Sequence, residues 1–453
     1  MRAGRKLYAQ SFRSQSSRLA QSAAVLVAAT WLGLGAATAQ DAAVNSQVVL
    51  QDWYRMALDL TRHTATFSPP VASRAYAYIG VTAFESVASG STKLQTLASQ
   101  LNGLTALPQR DAGAAYDDGI VLDAALSTVI HDLFSNTGPS GHRAVDALDD
   151  ELSGGLVGTL PADEVTRSQA YGQAIGQHVL DWSRNDGGAV VQNMGFPLKY
   201  TPKPGAQYWV PTSAIVQQQA PLLPEWGNNR PFAMPKGASC ATPTPPAYSE
   251  DPTSDYYKQA KEVYDVWKAL TPEQRAIARF WADDAMLSVT PPGHWLQITL
   301  QTIATHDIDL EKSVDLLARV GIAEADAFIG CWDTKYTYDT VRPITYIRHT
   351  MDPKFDTVVT TPPFPEFPSG HSTLSAAAAA VLTAVLGDNF AFTDDTDQED
   401  GLQPRSFPSF VAAANEAAIS RLYAGIHYRA AIEMGAGQGR CIAAYAVALK
   451  TWR

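Results

Sequence analysis

Apolar residues recur at helical spacing through most of this chain, and that recurrence restricts it to helices packed on helices. The pattern covers residues 46–60, 73–88, 111–134, 141–152 and 162–184, resumes at 255–270, and continues at 295–306, 310–336, 369–386, 407–423 and 427–449. Runs of period two rich in Val, Ile and Thr are scarce, which leaves little from which to build a sheet. Thr271-Pro272-Glu273-Gln274 joins an N-cap to a proline at the first helical position and predicts a further helix reaching about Ser288. The expected fold is all-α, made of packed helical bundles.

Residues 187–255 break the pattern. They are rich in Pro, Gly and Gln, include Thr242-Pro243-Thr244-Pro245-Pro246, and carry Tyr200, Tyr208, Trp209 and Trp226. Those aromatics predict an ordered loop packed on the surface, separating an N-terminal helical part, 40–186, from a C-terminal one, 256–453. Residues 1–39 read as an export signal, with Arg2, Arg5, Lys6, Arg13 and Arg18 ahead of an apolar run at 23–35 and a cleavage site at Ala37-Thr38-Ala39. The mature protein is therefore expected in the periplasm or outside the cell. That apolar run is shorter than a bilayer-spanning helix, and no later segment is long enough, so no membrane span is expected in the mature chain.

All five bases of 1–39 leave with the signal, and the remaining 29 stand against 45 acids, a net charge of −16. So acidic a surface excludes nucleic acid and anionic membranes as expected partners. Cys240, Cys331 and Cys441 lack the short paired spacing of a zinc site. Export permits one disulfide among them, and three buried small residues are the alternative. The run Asp394-Asp395-Thr396-Asp397-Gln398-Glu399-Asp400 lacks the spacing of a calcium loop and is expected to be solvated.

Against this acidic background three basic fragments stand out. Lys335 and Arg342 lie seven residues apart, roughly two turns, and face one side if a single helix carries both. Pro368-Ser369-Gly370-His371 precedes an alanine-rich run, which places Ser369 and Gly370 at a helix N-terminus, where free N–H groups favour an anion. His371 in the first turn can exchange a proton with whatever binds. In Ser420-Arg421-Leu422-Tyr423-Ala424-Gly425-Ile426-His427, an unbroken helix would point Arg421 and His427 apart, and Gly425 is the expected break that lets them converge. Together these fragments predict a buried, positively charged pocket for a tetrahedral oxyanion.

In this order, K-x6-R-P, P-S-G-H and S-R-x5-H resemble the motifs of the vanadium-dependent haloperoxidases, which share a scaffold with the type 2 phosphatidic acid phosphatases. The resemblance implies vanadate as cofactor, with His427 as the metal ligand. It implies Lys335, Arg342, Ser369, Gly370 and Arg421 as partners of the oxyanion oxygens, and His371 as the acid–base residue. Hydrogen peroxide and halide would be the substrates, with peroxide polarised by Lys335 and hypohalous acid as product. A small organic acceptor and the oligomeric state stay open. Trp332 and Phe364 are candidate walls of a halide pocket, with ordinary core packing as the alternative.

The family often places an aspartate four residues after the ligand histidine, where this chain has Ala431. Glu433 is the candidate substitute, against a surface salt bridge. His294 is read either as a second pocket histidine or as a loop or cap residue, and His306 and His349 as structural. The same pocket could serve an acid phosphatase working through a phosphohistidine, or a non-catalytic oxyanion binder.

Overall fold

Side chains that satisfy free N–H groups, and prolines that need none, set where most helices begin. The computed structural model describes residues 44–453 except 194, 195, 198, 199 and 213–219, so the export-signal reading of 1–39 lies outside the described residues. Helix α1 (Ser46–His63) starts after Asn45, whose Oδ1 accepts from the Gln47 N–H at 2.9 Å. Helix α2 (Pro69–Ala88) opens on two prolines, α3 (Asp118–Leu133) on the Asp117 cap, and α4 (Pro139–Val157) on another proline. Helix α5 (Ala162–Ser183) carries Asp163 and Glu164 in its first turn, where the helix dipole favours them.

The turn α6 (Gly188–Val191) enters the loop region, whose regular structure among the described residues is otherwise limited to two short 3₁₀ turns. Trp209 and Trp226 are buried there, as their place in the loop suggested. Helix α7 (Asp255–Lys268) follows the Ser254 cap, and α8 (Pro272–Phe280) has the reciprocal Thr271–Gln274 capping box. Then come α9 (Thr290–Thr305), α10 (Leu310–Tyr338) and α11 (Pro343–Thr350). Helix α12 (Gly370–Leu386) leads to a small antiparallel hairpin, β1 (Phe392–Asp394) and β2 (Arg405–Phe407). Helices α13 (Phe410–Tyr423) and α14 (Arg429–Val447) complete the chain.

The core is organised on α10, 29 residues long and buried along most of its length from Ser313 to Lys335. It packs against α2, α9, α12 and α14. Two crossings in this core depend on glycine. A Cβ on Gly80 would stand 2.9 Å from the Ala318 Cα, and one on Gly439 would stand 2.0 Å from the Thr373 carbonyl, so α2 meets α10, and α14 meets α12, almost backbone to backbone. No helix among the described residues is long and apolar enough to cross a membrane.

Several boundaries differ from the sequence reading. Helix α8 ends at Phe280, not Ser288; residues 281–289 form an irregular strap with Asp283 and Met286 at positive φ. Helix α3 begins at Asp118, since Asp117 caps it and the preceding residues are coil. Lys335 and Arg342 do not share a helix: Asp339 ends α10 in the left-handed conformation, and Arg342 is the N-cap of α11, with Pro343 at its first position. The acidic run is not simply solvated either, because Asp394 and Asp397 are buried.

Cys240 and Cys441 form a disulfide that ties the loop region to α14, and Cys331 is a buried free thiol. The bridge closes a separation of 201 residues, so it removes much conformational freedom from the unfolded chain. Cys240→Ser should lower stability by about 2–4 kcal/mol. Thermal unfolding followed by circular dichroism checks this, with native helicity and catalytic activity kept below the transition.

Candidate active site

Three breaks in helical structure bring the predicted residues together. The first is the end of α10, which leaves Lys335 in its last turn. Its Nζ donates to the carbonyls of Pro365 at 2.9 Å, Glu366 at 3.0 Å and Pro368. Burial pushes the Lys335 pKa down to about 7. The second is the non-helical segment 364–369 before α12, where Ser369 is the N-cap and its Oγ accepts from the Ser372 N–H. The third is Gly425, at φ 79°, which ends the turn after α13 so that Arg421 and His427 both face inward. This is the break the sequence predicted.

Lys335, Arg342, Arg421 and His427 are all at most 2% exposed. Burial lowers both guanidiniums to about 10, which leaves them charged at neutral pH. Arg342 donates from Nε to the Phe364 carbonyl at 2.9 Å and from Nη1 to the Ile426 carbonyl at 3.0 Å. Arg421 donates from Nη1 to the Trp281 carbonyl. Arg342 Nη2, Arg421 Nε and His371 Nε2 are buried without a partner. Such orphans are costly unless an acceptor enters among them.

The carboxylate that orients His427 comes from an unexpected place. Glu366 Oε1 lies 2.9 Å from His427 Nδ1 and also accepts from the Tyr428 N–H at 2.9 Å. Nδ1 therefore carries the proton, and Nε2 keeps its lone pair, which accepts from Arg342 Nη1 at 3.1 Å. Burial first, then the neighbouring Arg342 and Lys335, hold the His427 pKa well below the usual histidine range. Glu433, the expected substitute, instead pairs with Arg429 on the surface at 3.7 Å. The missed signal was a lone carboxylate in Pro365-Glu366-Phe367-Pro368, where an acid among prolines and phenylalanines has no solvated face to occupy.

His371 lines the same cavity, kept neutral by burial and by the nearby Arg421. Its Nε2 faces Asp283 Oδ2 at 3.8 Å. Asp283 and Asp284, the acids nearest Arg421, belong to the strap and were not singled out from sequence. His294 is not a cavity-lining residue. It is wholly buried in the second turn of α9, with Nδ1 2.9 Å from Asp283 and Nε2 2.8 Å from Asp394. His306 hydrogen-bonds within its own helix end and packs tilted against Phe390, and His349 is surface-exposed beside Glu250.

The cavity measures about 520 Å³, and its lining includes Trp332, Phe364, Gly370, His371 and His427. Trp332 and Phe364 pack with ring centroids 4.9 Å apart, and Lys335 Nζ and the Arg342 guanidinium lie 5.2 and 5.0 Å from the Phe364 ring centre. The two aromatics thus form a wall beside the cations. A Cβ on Gly370 would meet only Trp332, at 3.9 Å, so the absence of a side chain there keeps the space open. Buried cations with orphaned donors, a helix N-terminus and an unprotonated histidine nitrogen fit vanadate: the donors match its oxygens and the nitrogen its metal.

Residues 315–452 match the family described as the VCPO second helical-bundle domain. No curated protein sequence matches. Among solved structures, a bacterial vanadium-dependent iodoperoxidase is 38% identical, with a TM-score of 0.81, covering 89% of this chain and 96% of its own. A bacterial vanadium-dependent chloroperoxidase in its holo form matches at 16% identity and TM-score 0.67, covering 85% and 92%. Its apo form matches at 16% and 0.65, covering 84% and 93%; these two likenesses show the fold alone. The iodoperoxidase likeness spans nearly the whole of that structure, and the helical frame it shares is the one that turns three cations toward a single histidine, so this chain belongs to the vanadium-dependent haloperoxidases.

Proposed function

We propose that this haloperoxidase prefers iodide and holds vanadate on His427 Nε2, among Lys335, Arg342, Ser369, Gly370 and Arg421, with His371 as acid–base residue. The observation that carries the assignment is the Glu366–His427 hydrogen bond, which fixes the tautomer and turns the unprotonated Nε2 toward the buried Arg342 guanidinium, whose Nη2 has no partner. The preference for iodide rests on the related bacterial iodoperoxidase and on the apolar wall of Trp332 and Phe364, which suits a large halide better than a phosphoester. A chain whose leader reads as an export signal, and which carries the Cys240–Cys441 bridge, is suited to work after export in an oxidising compartment.

Vanadate bound here supplies a Lewis-acidic centre that activates hydrogen peroxide toward halide, giving hypohalous acid. The chain's own contribution is placement and proton control. Arg342 must release His427 Nε2 for that nitrogen to act as a ligand, and its unpartnered Nη2 then has an oxyanion oxygen to reach. Neutral His371 can take a proton from peroxide and return it. Lys335 Nζ donates to three carbonyls, which needs the ammonium form, and an anion beside it favours that charge against the burial that pushes its pKa down to about 7.

Glu366 also removes one argument against a phosphatase, since the carboxylate missing at 431 is supplied from another segment. The reaction is decided by assay. Purified protein with vanadate and peroxide should oxidise iodide faster than bromide or chloride, and release of phosphate from a phosphoester without halide oxidation would sink the proposal.

Three outcomes follow from the geometry. Glu366→Gln keeps an acceptor but not the charge behind His427, and should weaken vanadate binding about 10- to 100-fold, read from activity against added vanadate. Gly370→Ala should leave the fold as stable or about 0.5–1 kcal/mol more so, while its methyl group enters the anion space and lowers vanadate affinity. For pH, the anion raises the pKa of Lys335 above its free value of about 7. Affinity is then fullest below that value and declines by about tenfold per unit as pH rises through the interval up to the bound value. Calorimetry in buffers of different ionisation enthalpy should show proton uptake on binding in that interval.

A further inference from the structure

Outside the oxyanion cage, the most unusual cluster is the buried one around His294. Three carboxylates, Asp283, Asp394 and Asp397, surround one imidazole, and all four residues are buried. Asp283 lies on the strap after α8, His294 in α9, and Asp394 and Asp397 at and beyond β1, so three separate segments meet at this ring. Both ring nitrogens are engaged, Nδ1 by Asp283 at 2.9 Å and Nε2 by Asp394 at 2.8 Å. A neutral imidazole has only one N–H to donate, whereas the imidazolium donates from both nitrogens. Two carboxylates at hydrogen-bond distance therefore select the charged form. Burial opposes that charge, but the two aspartates outweigh it and hold the His294 pKa well above the usual range.

The ring also lies flat on Trp281, centroids 4.6 Å apart at 17°. The Trp281 carbonyl accepts from Arg421. Asp283 spends Oδ1 on His294, and its Oδ2, buried without a hydrogen-bond partner, faces His371 Nε2 at 3.8 Å. One buried ring thus fixes the strap that carries both the acceptor for Arg421 and the only carboxylate paired with His371 among the described residues.

We propose that His294 is a positioning residue for halide oxidation: an imidazolium clamped between Asp283 and Asp394 that aims the second Asp283 oxygen at His371, providing a counter-charge for His371 when it takes a proton. This deepens the proposed function and rests on the reading of His371 as the acid–base group. Proton transfer to His371 puts an N–H on Nε2, and that N–H points at an oxygen already in place. A metal ion is the competing occupant, since Asp283, His294 and Asp397 lie close enough to share one. Both nitrogens of His294 are already committed to carboxylates, and Asp397 is pushed up to about 7 by burial and by Asp283. The cation of this cluster is the imidazolium itself.

Two measurements on the full-length protein test the clamp. Nitrogen-15 NMR should show both His294 ring nitrogens protonated from neutral to mildly alkaline pH, with the signals unmoved by added calcium or zinc. A single neutral tautomer, or a metal-dependent shift, would overturn the proposal. His294→Gln, which cannot donate to both aspartates with a charge, should cut kcat about 10- to 100-fold and move the His371 limb of the pH profile to lower pH, against the upward move that loss of the His294 charge alone would give, with halide KM changed far less. Asp394→Asn, which keeps an acceptor for Nε2, should give the same shift in weaker form and serves if the glutamine variant does not fold. A limb that moves up, as loss of the His294 charge alone would move it, would overturn the proposal, and an unmoved limb with activity falling only in step with the thermal midpoint would mean that His294 merely holds the fold. Wild-type protein with the clamp visible by NMR but no halide oxidation would instead fault the functional reading.

Discussion

Three cations buried around one histidine are the constraint on which this structure depends. Taking a charge out of water costs several kcal/mol per ion unless polar groups replace the lost hydration. Here the replacement is largely backbone carbonyl: Pro365, Glu366 and Pro368 around Lys335, Phe364 and Ile426 around Arg342, and Trp281 for Arg421. Carbonyls inside a helix are already committed to the turn that follows. Only helix ends and irregular segments have them to spare. Lys335 sits in the last turn of α10, 364–369 is non-helical chain before α12, and Ile426 follows the Gly425 break, so the ends of otherwise regular helices converge where acceptors are needed.

The same constraint explains what could be read in advance. Helices are local, so apolar spacing located α1, α5, α10 and α12 closely, and proline or cap residues marked several starts. The pocket's cations were legible because each stands in a short motif with a helix break beside it, as Gly425 does between Arg421 and His427. What failed was long-range. Nothing near Glu366 in the chain says that it will meet His427, 61 residues away, and nothing near His294 names Asp394, 100 residues away. The strap at 281–289 was misread as helix because its pattern continues that of α8, while its course is set by Asp283 turning to His294 and by Trp281 lying against the same ring.

Histidines of one intrinsic basicity end in opposite states within this small region, and their neighbours account for the difference. His427 and His371 are buried among guanidiniums and an ammonium, which add to burial in disfavouring the charged ring. His294 is as deeply buried but sits between carboxylates, which reverse the outcome. A ligand must offer a lone pair and an acid–base residue must be free to accept a proton, whereas a clamp needs two donors at once. Each environment supplies the protonation state that the proposed role requires.

The position of the orienting carboxylate follows the same reasoning. What His427 requires is an oxygen near Nδ1, not a residue at a given spacing, and Glu366 reaches it from the segment before α12. Ala431 is fully buried and borders a cavity of about 20 Å³ that Glu366 and Tyr428 also line. An aspartate at 431 would put a second carboxylate beside Glu366, whose pKa burial already raises to about 7. Two carboxylates so close cannot both stay ionised, and the proton one of them took up would weaken the charge behind Nδ1. The small side chain at 431 and the acid at 366 are therefore one arrangement: moving the carboxylate across the site is compatible with function only if the position it vacates stays apolar.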